Sequence, residues 1–116
     1  MPETSAKFTI ASAGGLHVAR AGGAVLAETS RAQRLSEAGH EPVLYFPRED
    51  VGTEFLERSP TRTTCPHKGE ATHYHIVGKS RLIRDAAWSY EAPKAGAEAI
   101  AGHIAFDAAK VTVEEL

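Results

Sequence analysis

The sequence lacks the features that would hold a small protein together by means other than burial. It contains one cysteine, Cys65, in 116 residues, so no disulfide can form within the chain. A domain of this size buries roughly two-thirds of the surface that its unfolded chain exposes. We therefore expect a single domain stabilised by its hydrophobic core, and the cysteine count fits a reducing compartment.

Neither sign of charge dominates the sequence, and long hydrophobic runs are missing. The 13 basic and 15 acidic side chains leave a formal net charge of -2, so no overall field attracts nucleic acid or an anionic membrane. No stretch approaches the roughly 20 apolar residues that a membrane helix requires. These absences predict a soluble, cytoplasmic protein whose partners include neither a nucleic acid polymer nor a membrane.

Short runs of apolar and β-branched residues, separated by glycine and proline, recur along the chain. Their spacing is typical of an all-β sandwich or barrel. We predict a mainly β single domain over residues 7–116, with about eight short strands and one or two short helices, after a flexible segment at 1–6. Residues 30–37 fit a strand or a helical turn, and we favour the strand. The other predicted strands cover 7–12, 16–20 and 24–29, which form a meander, then 43–46, 71–77, 82–90, 100–106 and 111–113.

The apolar run at 43–46 is the best candidate for a core strand. A strand that is apolar at every position is typical of one that is covered on both faces. After it, Asp50 can accept backbone hydrogen bonds as the cap of a two-turn helix. In that helix Val51 and Phe55 would face the core, and the helix would end near Ser59.

The segment 64–69 combines a thiol, an imidazole, an ammonium and a glycine within six residues. Pro66 fixes its own φ angle and disfavours a helical conformation at Cys65, so the segment is predicted to be a rigid bend. In an extended chain Cys65 and His67 would point the same way, which allows a thiolate–imidazole pair. The alternative, a buried and inert cysteine, is the interpretation that we favour.

A metal site is a second hypothesis for the same region. Cys65, His67, His73 and His75 carry the sulfur and imidazole ligands that zinc prefers. The paired Cys-x-x-Cys spacing is absent, however, and the last two histidines flank Tyr74, which we expect to face inward. We therefore predict no bound metal and no other cofactor.

Five residues form the predicted ligand site. Arg48 and Lys68 can hold an anion, and Gly69 lets backbone N–H groups approach it. Trp88 and Tyr90 share one face of a predicted strand, where they form either a stacking platform or a core pair. We favour the core pair as the commoner structure, while the platform supports a ligand with a ring. The sequence thus predicts binding of a small anionic ligand such as a nucleotide.

Two alternatives of other classes stay open. One is an enzyme that uses Cys65 as nucleophile and His67 as base, with Asp50 as a weaker catalytic candidate. The other is a structural or interaction protein without a small-molecule ligand, for example a homodimer formed through a sheet edge or exposed aromatic side chains.

Five segments in order along the chain carry a family resemblance: AETS at 27–30, YFPREDV at 45–51, TCPHKGEA at 64–71, AWSY at 87–90 with Pro93, and GHIAF at 102–106. They resemble the domain of unknown function 427 (DUF427) family, also labelled a nucleotidyltransferase-like domain. The resemblance implies a compact, mostly β single domain, and it marks Arg48, Asp50, Lys68, Trp88 and Tyr90 as positions of the family pattern.

The nucleotidyltransferase label has little support in the residues themselves. Two-metal nucleotidyl transfer needs at least two converging carboxylates to hold magnesium. Glu49 and Asp50 are adjacent, so their side chains are expected to diverge, and Asp85 and Asp107 are isolated in the sequence. The resemblance therefore implies a fold more than a chemistry.

Overall fold

The computed structural model describes residues 8–78 and 81–116, and the regular secondary structure of this part of the chain is mainly β. The predicted mainly β class is confirmed, with ten strands rather than about eight, and the only helical segments described are three 3₁₀ turns. The strands are β1 (Phe8–Ser12), β2 (His17–Ala21), β3 (Ala24–Thr29), β4 (Gln33–Glu37), β5 (Val43–Tyr45), β6 (Leu56–Cys65), β7 (Gly69–Val77), β8 (Leu82–Ser89), β9 (Ala105–Phe106) and β10 (Thr112–Glu115). The 3₁₀ turns are Arg48–Asp50, Thr53–Phe55 and Glu98–Ile100.

The strands form three antiparallel sheets, with the orders β1-β4-β5, β10-β2-β3 and β6-β7-β8-β9. The predicted meander of the first three strands is therefore wrong, because β1 pairs with β4 while β2 pairs with β3 and β10. Gly14 and Gly15 lie between β1 and β2 with φ angles of 67° and 74°. Such angles favour glycine, and here the chain passes from one sheet into another instead of closing a hairpin.

The predicted core strand is confirmed, and its two faces belong to different parts of the core. Tyr45 packs in a cluster with Tyr90 and other residues, whereas Phe46 lies in a second cluster. The Phe46 ring meets the Phe106 ring edge-on, with centroids 5.4 Å apart. The backbone N–H of Phe46 donates to the Ile104 carbonyl, and the Phe46 carbonyl accepts from the Ile104 N–H, both at 2.8 Å. Because successive side chains of a strand point to opposite faces, this short segment contributes to both clusters.

The predicted helix after Asp50 is wrong. Val51 is extended and forms an isolated β-bridge with Ala27. This extended residue separates the 3₁₀ turn before it from the 3₁₀ turn after it. Asp50 caps no helix; its carboxylate instead accepts hydrogen bonds from Thr29 at 2.7 Å and Arg31 at 3.0 Å. Val51 pairs with strand β3, and side chains distant in sequence bind this carboxylate. These tertiary interactions outweigh the local preference for a helix.

Two other segments differ from the prediction in the same way. Residues from Leu56 onward belong to β6, which is ten residues long and pairs with β7 on both sides of a bulge. The predicted strand at 100–106 is reduced to β9, preceded by a 3₁₀ turn that ends at Ile100. The length of β6 follows from its pairing with β7 rather than from local propensity.

The bend at Pro66 is confirmed as the turn of the β6–β7 hairpin. Cys65 pairs with Gly69 across it, leaving three residues in the turn. Gly69 has a φ angle of +111°, a conformation that L side chains rarely adopt. The predicted turn at 78–80 lies partly, and the predicted flexible segment at 1–6 entirely, outside the described residues.

In the described part of the chain, no helix has the length and apolar character needed to span a membrane.

Replacing Phe46 by alanine tests the two-faced strand. We expect Phe46→Ala to lower the free energy of unfolding by about 3–5 kcal/mol, because the ring is fully buried. Val25→Ala is the control, since that side chain is 53% exposed, and its cost should stay below about 1 kcal/mol. Urea denaturation measures both, and equal costs would contradict the assignment of Phe46 to the core.

Candidate functional site

A cavity of about 290 Å³ opens beside the β6–β7 hairpin, between the sheet of β4 and β5 and the sheet of β6 to β8. Charged, aromatic and apolar side chains line it together. The lining residues are Leu35, Glu37, Val43, Tyr45, Thr63, Lys68, Ala71, His73, Trp88 and Tyr90. We call this space the Lys68 cavity.

Lys68 is the most unusual residue of the cavity, because its ammonium is almost fully enclosed. The side chain is 9% exposed, and Nζ donates to the Glu37 carboxylate at 3.1 Å. Nζ also lies 5.5 Å from the ring centre of Phe8 and 5.9 Å from that of Tyr90. The backbone holds this position, since the Lys68 carbonyl accepts a hydrogen bond from the Lys94 N–H at 2.9 Å. The turn therefore places a cation within the protein rather than in solvent.

The protonation states of the cavity follow from burial and from Glu37. Burial acts to lower the pKa of Lys68, but the hydrogen bond that its ammonium donates to Glu37, together with neighbouring groups, outweighs burial, and the pKa is raised. Burial raises the pKa values of Tyr45 and Tyr90, so both phenols stay neutral. Burial likewise lowers the pKa of His73, which favours the neutral imidazole. At neutral pH the cavity thus contains one ammonium and one carboxylate.

Three aromatic side chains form one wall of the Lys68 cavity. Trp88 meets Tyr45 edge-on with centroids 6.5 Å apart, and its Nε1 donates to the Tyr45 hydroxyl at 3.2 Å. Tyr45 and Tyr90 are also 6.5 Å apart, with their rings tilted by 43°. Tyr90 is buried, whereas Trp88 is partly exposed. The two residues are packed into a core cluster and line the cavity as well, so the two interpretations of this pair are compatible.

Sequence reasoning missed several cavity residues, above all Glu37. This carboxylate comes from the end of β4, 31 residues before Lys68, and nothing in the sequence links the two. The sequence suggests only metal binding for His73, but in the structure this side chain contacts Thr63, with Nε2 and Oγ1 2.8 Å apart. The register of β6 against β7 brings these two side chains to the same sheet face.

Arg48 lies apart from Lys68. Its guanidinium bonds the Gly102 carbonyl at 3.0 Å and the Glu91 carboxylate at 3.1 Å, and it approaches the Ser89 hydroxyl at 3.4 Å. Ser89 ends strand β8 next to Trp88, and neighbouring side chains of a strand point to opposite faces. Arg48 is therefore on the other side of this strand from the Lys68 cavity.

Glu91 is the centre of the network that contains Arg48. Its carboxylate accepts a hydrogen bond from the Tyr74 hydroxyl at 2.6 Å and also contacts Arg58 at 3.4 Å. The Tyr74 hydrogen bond, followed by the two guanidinium groups, holds the pKa of Glu91 below its ordinary value. These contacts join the loops at Glu91 and Gly102 to the sheet.

The remaining predicted residues occupy separate environments. The Cα of Gly69 faces the backbone of residues 92–94, where an added Cβ would lie 3.5 Å from the Lys94 nitrogen. Cys65 is half-buried against the aromatic cluster, and His67 is exposed on the turn. Within the described residues, no hydrogen bond joins Cys65 to His67. Asp50 is bound to Thr29 and Arg31, as described above.

The described residues bring no three His, Cys, Asp or Glu side chains together as a metal site. His73 and His75, two of the three histidines of that hypothesis, each have another partner. The Nδ1 atom of His75 accepts the backbone N–H of Asp85 at 3.0 Å.

Comparison with known proteins establishes the family. The family model described as "Domain of unknown function (DUF427)" matches residues 11–115, which is nearly the whole chain. The chain therefore belongs to the DUF427 family, as its sequence motifs indicate. No curated protein matches it. The family description names no reaction or ligand, so the function is argued from the geometry of the site.

The Lys68–Glu37 pair can be tested by removing each partner. Glu37→Ala leaves a buried ammonium without its carboxylate, and we expect a loss of about 1–3 kcal/mol in the free energy of unfolding. Lys68→Met should cost less, because it removes the charge and keeps most of the side-chain volume. Glu41→Ala, at an exposed position, is the control. Urea denaturation that gives the same stability for Glu37→Ala and the control would contradict the buried pair.

His73 predicts a pH dependence of stability. Burial lowers its pKa below the ordinary 6.5, so the unfolded chain binds this proton more readily than the folded chain. The contribution of His73 to stability is therefore present above pH 6.5 and is lost as the pH falls through its folded pKa. His73→Gln should reduce the loss of stability between about pH 7.5 and about pH 5.5. Urea denaturation at both pH values checks this, and an unchanged loss in the variant would contradict it.

Proposed function

We propose that this domain binds a small ligand that contains a ring, such as a nucleotide, in the Lys68 cavity. One observation carries the proposal: an ammonium that is nearly withdrawn from water lines a cavity that has three aromatic side chains in its wall. The cavity is at the lower end of the roughly 300–1,000 Å³ of small-molecule sites. It can enclose one ring, and the rest of a nucleotide would extend into solvent.

Lys68 can form further hydrogen bonds. An ammonium carries three N–H donors, and among the residues that the structure describes the Glu37 carboxylate accepts one of them. A ligand oxygen placed in the cavity could accept another, and a hydrogen bond to a charged group contributes about 1.5–3 kcal/mol. The enclosed position increases the value of this bond, because little water competes for the donor.

The aromatic wall supplies the apolar part of the recognition. Trp88 is partly exposed and already held by its hydrogen bond to Tyr45, so its orientation is set before a ligand arrives. A ring packed on such a side chain gains about 1–3 kcal/mol. A preorganised wall also reduces the entropy that is lost on binding.

The geometry changes the set of residues assigned to this function. Arg48 belongs to the Glu91 network and is omitted from the proposed site, whereas Glu37 and Tyr45 are added. The hypothesis of a Cys65 nucleophile gains no support from the hairpin, where His67 is exposed and unbonded to it. That hypothesis and the interaction-protein hypothesis stay predictions.

Ligand binding can be followed through Trp88, which is the only tryptophan of the chain. We expect a nucleotide or another small ring compound to change its fluorescence and to stabilise the protein by about 2.7 kcal/mol at 100 times the dissociation constant. Lys68→Met should weaken this binding about tenfold or more, because it removes the charged donor.

Lys110→Met is the matched control for this experiment. Lys110 is a lysine on the turn before β10, where it bonds the Arg84 carbonyl at 2.8 Å, and it does not line the Lys68 cavity. The proposal fails if no compound of the panel alters the fluorescence or melting temperature of the wild type. It also fails if Lys68→Met and Lys110→Met bind equally well.

A further inference from the structure

We infer that the Lys68 cavity recognises the edge of a planar ring on which a hydrogen-bond acceptor and an N–H donor are adjacent, as in a cyclic amide or imide. The inference rests on the proposed function and specifies which part of the ligand enters. Lys68 would donate to the ring carbonyl, and Glu37 would accept from the ring N–H. Any anionic group of the ligand would lie outside the cavity.

Glu37 carries the inference, because it places an acceptor directly beside the Lys68 donor. Glu37 lines the cavity, its side chain is 21% exposed, and its Oε1 lies 3.1 Å from Nζ of Lys68. An ionised carboxylate can accept about four hydrogen bonds, and the contact with Lys68 uses one. A donor and an acceptor at this spacing match a C=O and an N–H on neighbouring ring atoms.

The charge balance of the cavity argues against a simple anion as the enclosed group. Glu37 offsets the charge of Lys68, while the two tyrosines and His73 are neutral at physiological pH. An anion at Lys68 would lie close to the Glu37 carboxylate and would be repelled by it. A neutral ring edge satisfies both charged groups at once and leaves neither unpaired.

The aromatic wall favours the same class of ligand. A planar ring can lie against Trp88 while its edge points toward Lys68, since both residues line the same cavity. The volume of about 290 Å³ accommodates one ring system. Inorganic phosphate or pyrophosphate would use none of this aromatic surface.

Three ring compounds test the inference: uracil, 1,3-dimethyluracil and benzoate. Uracil has the adjacent carbonyl and N–H, dimethyluracil keeps the carbonyls but has no N–H, and benzoate is an anion with no donor. By isothermal titration we expect the wild type to bind uracil about tenfold more tightly than either of the other compounds.

Glu37→Gln removes the negative charge with little change of shape. We expect this variant to lose most of its preference for uracil over dimethyluracil, and to bind benzoate about tenfold more tightly than the wild type does. Glu41→Gln changes the net charge by the same amount at an exposed position outside the Lys68 cavity, so it should behave as the wild type. If Glu37→Gln does not fold, the affinities of the wild type for the three ring compounds are sufficient to test the inference.

The outcomes separate this inference from the proposed function. If the wild type binds dimethyluracil or benzoate with the same affinity as uracil, the ring-edge inference is wrong, while the proposal that the cavity binds a ring compound stands. The ring-edge inference is also wrong if binding requires a phosphate group and does not depend on which ring the ligand carries. If no ring compound binds, including the nucleotides of the fluorescence panel, both fail.

Discussion

The placement of Tyr45 and Phe46 on opposite faces of one short segment is the constraint on which the rest of the structure depends. Phe46 is fully buried against Phe106, and Tyr45 is almost fully buried beside Trp88 and Tyr90. Since adjacent side chains of extended backbone must point in opposite directions, the segment has to lie between two apolar clusters. The cluster around Tyr45 forms the aromatic wall of the Lys68 cavity, so the core and the candidate site share side chains.

A buried ammonium gives the candidate site its chemical character. Removing Lys68 from water is costly, and the structure offsets that cost with the Glu37 carboxylate and two aromatic rings. The Arg48 network has a different role. It provides hydrogen-bond partners for the Glu91 carboxylate and the Tyr74 hydroxyl, and it joins two loops to the sheet. Both regions contain cations and aromatic residues, and the first has both types of side chain in the wall of one cavity.

Prediction from sequence succeeded where the signal was local. The core strand at 43–46, the bend at Pro66 and the inward orientation of Tyr74 depend on neighbours within a few residues, and all three are confirmed. The helix after Asp50 was wrong because Val51 pairs with strand β3 and Thr29 binds the expected capping carboxylate. Neither interaction leaves a trace in the local sequence.

The sequence by itself determined the mainly β class, the family, the bend at Pro66 next to Lys68 and the shared strand face of Trp88 and Tyr90. These features follow from backbone preferences, period-two alternation and motif order, all of which are properties of short segments. Only the tertiary structure decided that Glu37 joins Lys68 and that Arg48 does not. Sheet pairing between residues far apart in the chain brings charged side chains together, and no local pattern encodes which of them will meet.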